Sequence, residues 1–512
     1  MKPYRFIMSL VLSAVCAFLH ARQADNPELP SYSAREYMMK QYDRIYGMNP
    51  AALSWWDYDL WSVVGASAEY ENGSFHHPLT YDRMVKGRVA TESILRLPKG
   101  KWTFHGRFIY ENGSVDSVRA NLSYRLRDNG SPSFYYCRKA GARWNLQKYG
   151  LEAAASRQFG ERWSAGGIIE YTGDLAFRKS DTRNAQTTLN IHVILSGSFR
   201  ITPGNMLSLG ADFLRVKEKP SFSRVYSSGA DYNTYLMNGL GTYIQNLESD
   251  VSWRDIAPGG FIQWMQRSDR NRASVTYKFS SGNDRWMNNA SQNENSQPVW
   301  TKYAYMKHSL LFTETVYFGN SLLDIRGDGG YVTGHGHSWN RTAGVYIQNY
   351  DYAGMTAGLE LEWRPSRTVV RQVAAGASYI SESRRDKSYD YRFSDSSVGA
   401  EVSLQLGFMA GKTVLTADLC GAYRHSLGVR HEPNAAVETN NEYTRYVGAP
   451  LAGWLGTDYA ETGIKFNADI PVKKVLLGIG LGADYSFPAG KAAGVYRNTD
   501  FIGGRLLLNV YF

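Results

Sequence analysis

The chain ends Asp500-Phe501-Ile502-Gly503-Gly504-Arg505-Leu506-Leu507-Leu508-Asn509-Val510-Tyr511-Phe512. Ile502, Gly504, Leu506, Leu508, Val510 and Phe512 fall on one side of a period-two pattern, and Arg505, Asn509 and Tyr511 on the other. Successive residues of a strand point to opposite faces. The stretch therefore reads as a strand with one apolar face that stops at an aromatic carboxyl terminus. It predicts the last strand of a transmembrane β-barrel, with Phe512 as the closure signal.

Four other stretches repeat the pattern. Leu189, Ile191, Val193, Leu195, Phe199 and Ile201 alternate with Asn190, His192, Ser196, Ser198 and Arg200. Met355 to Arg364, Thr413 to Arg424 and Val475 to Phe487 alternate in the same way. These stretches run ten to thirteen residues. Strands of soluble sandwiches are commonly half that length, whereas a tilted strand that crosses a bilayer needs about 9–11 residues.

Composition agrees. The 512 residues include 36 Tyr and 49 Gly but only 16 Pro, a mixture suited to strands, tight turns and interfacial aromatic belts. Mean hydropathy is −0.40, and beyond the first twenty residues no apolar run is long enough for a helical span. An alternating strand averages its hydropathy out and escapes that test. The net charge of +10 is spread along the chain, so no nucleic-acid partner is expected.

Turn signals give a strand number. Pro98-Lys99-Gly100, Gly160-Glu161, Pro203-Gly204-Asn205, Gly319-Asn320, Pro365-Ser366, Gly411-Lys412 and Lys473-Lys474 are compact, and Asp128-Asn129-Gly130 and Asp269-Arg270 are weaker. Longer polar stretches lie between them, at 217–256, 283–300, 384–397 and 426–458. Short turns on the periplasmic side and long loops outside are the barrel asymmetry. Twice the number of turns plus two gives 16 to 20 strands. The expected fold is all-β, an antiparallel up-and-down transmembrane barrel over residues 60–512.

The amino terminus reads as a signal peptide over residues 1–21, with Lys2 and Arg5 ahead of an apolar core from Phe6 to Phe18. Only Cys137 and Cys420 remain after cleavage, too few for a disulfide framework. Residues 22–59 precede the barrel and contain Gly47-Met48-Asn49-Pro50-Ala51-Ala52-Leu53-Ser54-Trp55-Trp56. At this motif the chain resembles the fatty-acid-transporter superfamily of outer-membrane barrels, in which a similar Asn-Pro-Ala segment joins an amino-terminal hatch to the first strand. In its general plan it is similar to outer-membrane barrels of the Bacteroidota type. The resemblance implies a plug inside the lumen; a periplasmic tail is the alternative.

The inward faces are expected to carry Glu170, His192, Arg200, Glu360, Glu362, Asp418, Asp484 and Arg505. Both signs of charge line a polar lumen. His335 and His337, two residues apart near a loop, form a candidate metal or haem ligand pair. No nucleophile elbow, phosphate-binding loop or zinc-protease motif occurs, so neither an enzyme nor a cofactor is expected. The expected function is an outer-membrane channel or transport component for a small solute, accessory to a larger surface uptake complex. Expected partners are outer-membrane lipids, the barrel assembly machinery, and a surface lipoprotein or TonB-dependent receptor. The alternatives are a non-conducting barrel whose loops bind a lipoprotein, and metal or haem capture.

Overall fold

The computed structural model describes residues 39, 42–56, 60–97, 101–118, 120–123, 127–137, 142–223, 225, 232–245, 251–288, 299–340, 342–365, 369–434, 443–473, 475–492 and 494–511. The expected signal peptide and Phe512 lie outside them.

The strands are β1 Leu60–Gly73, β2 Arg83–Leu97, β3 Trp102–Val118, β4 Phe134–Tyr136, β5 Ala142–Phe159, β6 Trp163–Arg178 and β7 Arg183–Thr202. Then come β8 Asn205–Ser223, β9 Tyr235–Met237, β10 Tyr243–Gln245, β11 Val251–Arg267, β12 Asn271–Asn288, β13 Val299–Phe318 and β14 Ser321–Asn340. The last are β15 Val345–Arg364, β16 Val370–Asp386, β17 Tyr391–Ala410, β18 Thr413–Glu432, β19 Tyr459–Val472, β20 Val475–Pro488 and β21 Phe501–Tyr511. Eighteen of them form one sheet in which sequence neighbours pair, and β1 also pairs with β21. The pairings are antiparallel throughout, so the sheet closes into an up-and-down barrel.

The closing seam runs from Val63 opposite Tyr511 to Gly73 opposite Phe501. Leu506 and Leu508 on β21 are about half exposed and face outward with Ala66 and Ala68 of β1. Arg505 on the same strand faces in, where it meets Glu69 at 3.1 Å. The outward alternation continues around the wall: Leu195, Leu209, Leu359 and Leu481 are exposed, whereas Ile194 between two outward residues is buried. A continuous outward apolar face on a closed barrel suits contact with lipid. Trp163, Phe159, Phe318 and Trp363 form an exposed aromatic ring at one rim.

That rim is the turn end. Eight short connections lie there, giving twice eight plus two, or 18, strands. Asp269-Arg270 is one of them. Asp128-Asn129-Gly130 is not: it belongs to the long connection between β3 and β5 at the opposite, loop end, where Asn129 is buried and its carbonyl accepts from Tyr303 Oη (2.9 Å). The stretch 384–397, read as a long loop, is the end of β16, a tight turn and the start of β17. Above the apolar belt both faces of a strand can be polar, so the period-two signal fades before the strand does.

Candidate functional site

At the turn end, residues 42–56 lie inside the lumen and reach its wall from β3 to β15. Tyr42–Tyr46 forms one wide helical turn and Pro50–Trp55 a 3-10 turn. Proline suits the first position of such a turn. Asn49 precedes it, where asparagine usually caps the helix with its side chain. Here that side chain makes no cap. Its amide donates to Gln263 Oε1 on β11 (2.7 Å) and its oxygen accepts from Ser196 Oγ on β7 (2.8 Å). Ala51 completes the seat: its N–H donates to Ser196 Oγ (2.9 Å), and its carbonyl accepts from Ser156 and Ser164 on β5 and β6 (3.2 and 3.0 Å). A Cβ at Gly166 would come within 2.6 Å of the Pro50 backbone, so only glycine permits this approach. Leu53, Trp55 and Trp56 supply the apolar half, packing on Ile94, Ile168, Ile194, Phe261, Met206 and Met265.

A charged cluster holds the edge of this plug. His105 stands between Glu92 (3.0 Å) and Glu152 (3.1 Å). Tyr42 stacks on the His105 ring and donates to Glu152 Oε1 (2.8 Å). Burial, and then the Glu152 carboxylate, keep the Tyr42 phenol well above its ordinary range, so it stays a donor. Arg107 bridges Asp43 of the plug and Glu92 of the wall (2.8 and 2.9 Å). Across the lumen Arg44 reaches Glu360 on β15 (2.8 Å).

The loop end is filled differently. β4, β9 and β10 form a small sheet inside the mouth, and a helix, Ala449–Leu455, packs beside it. The core of this cap includes eight tyrosines, among them Tyr303, Tyr305, Tyr350 and Tyr391. Their apolar bodies pack while their hydroxyls find partners, as Tyr305 does on Asp255 Oδ2 (2.9 Å). Arg127 makes a two-pronged pair with fully buried Glu218 (3.0 and 3.1 Å) and lies 3.7 Å from the centre of the Trp253 ring.

His77 lies in the β1–β2 loop and packs under the cap. Its Nδ1 accepts from the Leu79 N–H (3.2 Å) and its ring meets Trp454 edge-on. Burial, aided by the Arg384 charge, pulls its pKa down to about 4. The free imidazole titrates near 6.5, so its contribution is intact above that pH and is lost as pH falls towards 4. Protease resistance of the cap should drop as pH falls between those values. His77→Gln should flatten that slope, and an unchanged slope would show that another group carries it.

Between plug and cap lies a cavity of about 590 Å³ bordered by His192, Asp212, Lys278, Arg127 and Asp255. His192 joins Glu170 (3.2 Å) to Asp212 (3.3 Å), and Lys278 pairs closely with Asp212. A second cavity of about 400 Å³ is bordered by Arg326, Glu360, Glu401 and Arg424.

The residues singled out from sequence do not form one cluster. Glu170 and His192 adjoin the first cavity, and Glu360 borders the second. Arg200 lies over the Trp55 ring of the plug. Glu362 is buried against Arg364 (2.6 Å). Asp418 accepts from Gln405 (2.6 Å) and Asn467 (3.5 Å), Asp484 crowds Gly463 beside Cys420, and Arg505 pairs with Glu69. His335 and His337 sit on the loop-end part of β14, not in a loop. Gly334 and Gly336 between and before them abut the lumen-side Tyr303 and Tyr350, so both histidines point outward. His335 bonds Asp351 (2.7 Å). Among the described residues no group of three or more potential metal ligands gathers.

Sequence reading missed Asp212, Lys278, Glu92, His105, Arg107 and Glu152. The alternation Thr103-His105-Arg107 was the available signal on β3.

Residues 50–512 match a family described as a family of unknown function (DUF6850). Among curated proteins none matches the chain. Among solved structures it is similar to the ferric citrate transporter FecA in unliganded form, with 9% identity and a TM-score of 0.43 over 88% of this chain and 78% of that one. It is also similar to BauA, the ferric preacinetobactin receptor from Acinetobacter baumannii (8%, 0.37, 88% and 80%). A third similarity is to Pseudomonas aeruginosa OpdK with vanillate (12%, 0.37, 89% and 98%). These likenesses are distant, and the strand count and topology above rest on this chain's own pairing.

Proposed function

For a chain that belongs to the DUF6850 family, whose function is unknown, we propose the role of a gated outer-membrane channel component that passes a small polar solute. The observation that carries this reading is the charged chamber that lies between the plug and the cap, both built by the chain itself. Arg127, Lys278 and His192 on its wall, with Asp128, Asp212 and Asp255, suit a solute that carries polar groups of either sign. The plug is the gate. Its polar half exchanges protein hydrogen bonds for water at about 0.5–1.5 kcal/mol each, while its apolar half makes the closed state the resting one. The cap, built on tyrosines, is the surface at which a lipoprotein or TonB-dependent receptor would hand solute over. The apolar belt and the amino-terminal signal support placement in the outer membrane with turns inside.

Gly166→Leu tests the gate without altering the plug's sequence. The new side chain would occupy the place of the Pro50 and Ala51 backbone. Purified protein in planar bilayers should show rare openings as wild type and at least about tenfold more open time as the variant, an expectation from the lost seat hydrogen bonds and packing. Silence of this variant, together with silence of a chain lacking the plug, would end the channel reading and leave a non-conducting surface-binding barrel.

Sidedness has its own test. In a Cys420→Ser background, Tyr389→Cys in the exposed β16–β17 turn should react with a membrane-impermeant maleimide on intact cells. Asn320→Cys at the other rim should react only after lysis; the reverse pattern would invert the assignment.

A further inference from the structure

The chamber between plug and cap holds opposite charges that do not meet. Asp255 on β11 stands directly opposite Asp284 on β12. Asp255 is 4% exposed and Asp284 not at all, and like charges directly opposite one another destabilise a sheet. Tyr305 donates to Asp255 Oδ2 (2.9 Å) and Asn129 to Asp284 Oδ2 (3.5 Å). The Oδ1 atom of each is buried without a hydrogen-bond partner. Among the described residues no cation pairs with either carboxylate. The nearby Arg127 is committed to Glu218.

Lys307 on β13 borders the same chamber. It is exposed within the lumen, and among the described residues no carboxylate pairs with it. Lys278 and His192 on this wall already hold Asp212. An uncompensated buried charge is costly. Carboxylates and an ammonium that share a chamber but stay unpaired are therefore matched by a ligand carrying both signs.

Register gives the separation. Tyr303 stands opposite Asp284, and Lys307 opposite Ser280. Four residues of β13, roughly 13 Å, thus separate the level of the carboxylates on the cap side from that of Lys307 on the plug side. An extended chain spans at most about 3.3–3.6 Å per residue. A single amino acid is too short to touch both levels, whereas three residues, met by the long Lys307 side chain, reach across. The chamber volume of about 590 Å³ falls among small-molecule sites, which run about 300–1,000 Å³. Leu214, Val216 and Ala257 give it an apolar strip suited to small side chains. Asn190 Oδ1, buried and without a partner, is placed on its border as an acceptor for a peptide N–H.

We propose that this chamber binds a zwitterionic short peptide, with its α-ammonium on Asp255, beside Asp284, and its carboxylate on Lys307. A primary ammonium brings three donors to the open carboxylate oxygens. The peptide carboxylate accepts a charge-assisted hydrogen bond from Lys307. The proposal names the solute class of the channel reading and rests on that reading for passage; binding in the chamber does not depend on conduction.

The test uses the full chain in detergent with trialanine, N-acetyl-trialanine, trialanine amide and free alanine. Native mass spectrometry and isothermal titration calorimetry are the readouts. Wild type should bind trialanine at least about tenfold more tightly than each of the other three, the worth of one hydrogen bond to a charged group. Asp255→Asn should erase the preference over the acetylated peptide and keep the preference over the amide. Lys307→Met should do the reverse, and Lys307→Arg should bind trialanine as wild type does. Asp255→Asn keeps an acceptor for Tyr305, and Lys307 is exposed, so both variants should fold, as heat-modified gel mobility checks. Absence of trialanine binding, equal binding of either capped peptide or of alanine, or unchanged preferences in both variants would overturn the proposal. Failure of the channel reading would show separately, as silence of Gly166→Leu and of the plug deletion in planar bilayers while trialanine still binds.

Discussion

Removing residues 22–56 should turn a nearly silent barrel into a conducting one, with charge passed per unit time rising on the order of a hundredfold or more, because barrels of 16–18 strands leave an aqueous channel when nothing fills them. The wall survives the deletion because every strand pairing, including the β1–β21 seam, lies beyond residue 59. What is lost is the burial of Leu53, Trp55 and Trp56, about 1.5–3 kcal/mol for each fully buried large side chain. Melting should therefore fall by several degrees while heat-modified gel mobility, the sign of a closed barrel, persists. Currents as low as those of wild type from a folded deletion variant, joined to silence of Gly166→Leu, would count against conduction and leave the non-conducting barrel.

The second large effect concerns that cap. Arg127→Ala should free the segments around β4, β9 and β10 from the mouth, at a cost of about 3–5 kcal/mol. Glu218 would be left as an uncompensated carboxylate in a site with no exposure to solvent, and the Trp253 face would lose its guanidinium. Protease cleavage on intact cells should appear within residues 127–137 of the variant and not of wild type. Arg127→Met with Glu218→Leu should recover most of the protection, since an apolar pair of similar volume leaves no buried charge. Cleavage unchanged in the single variant would mean that the aromatic packing holds the cap without the ion pair.

The parts of this molecule visible in its sequence are those that repeat locally. Alternation around Leu189, Leu359, Leu415 and Leu481 marks the wall and its faces, since lipid on one side and water on the other impose a period of two. Compact turn chemistry gave most of the strand count. Asp128-Asn129-Gly130 misled because a turn inside a folded loop uses the same residues as a turn between strands. The site was harder to see. Glu170 and His192 stood out as inward polar residues, but their partners Asp212 and Lys278 are set by register between strands far apart in sequence. The outward aim of His335 and His337 likewise depends on which side Tyr303 and Tyr350 fill. The seat of the plug, made of Ser156, Ser164, Ser196 and Gly166, looks like any small-residue stretch of a strand until the Asn49–Ala51 backbone is laid against it.

The seam between β1 and β21 has a consequence for motion. Only three residues separate Trp56 from Leu60, so the plug hangs from the wall at the rim it closes, and it can withdraw without unzipping a single strand pair. Exchange of amide hydrogens should then fall into two independent classes. Wall amides would exchange at the slow rate set by whole-barrel opening. The Ala51 amide, held by Ser196 alone among its described partners, would exchange at the rate of plug excursions, so that a clock for the gate could be read while the frame around it stays still.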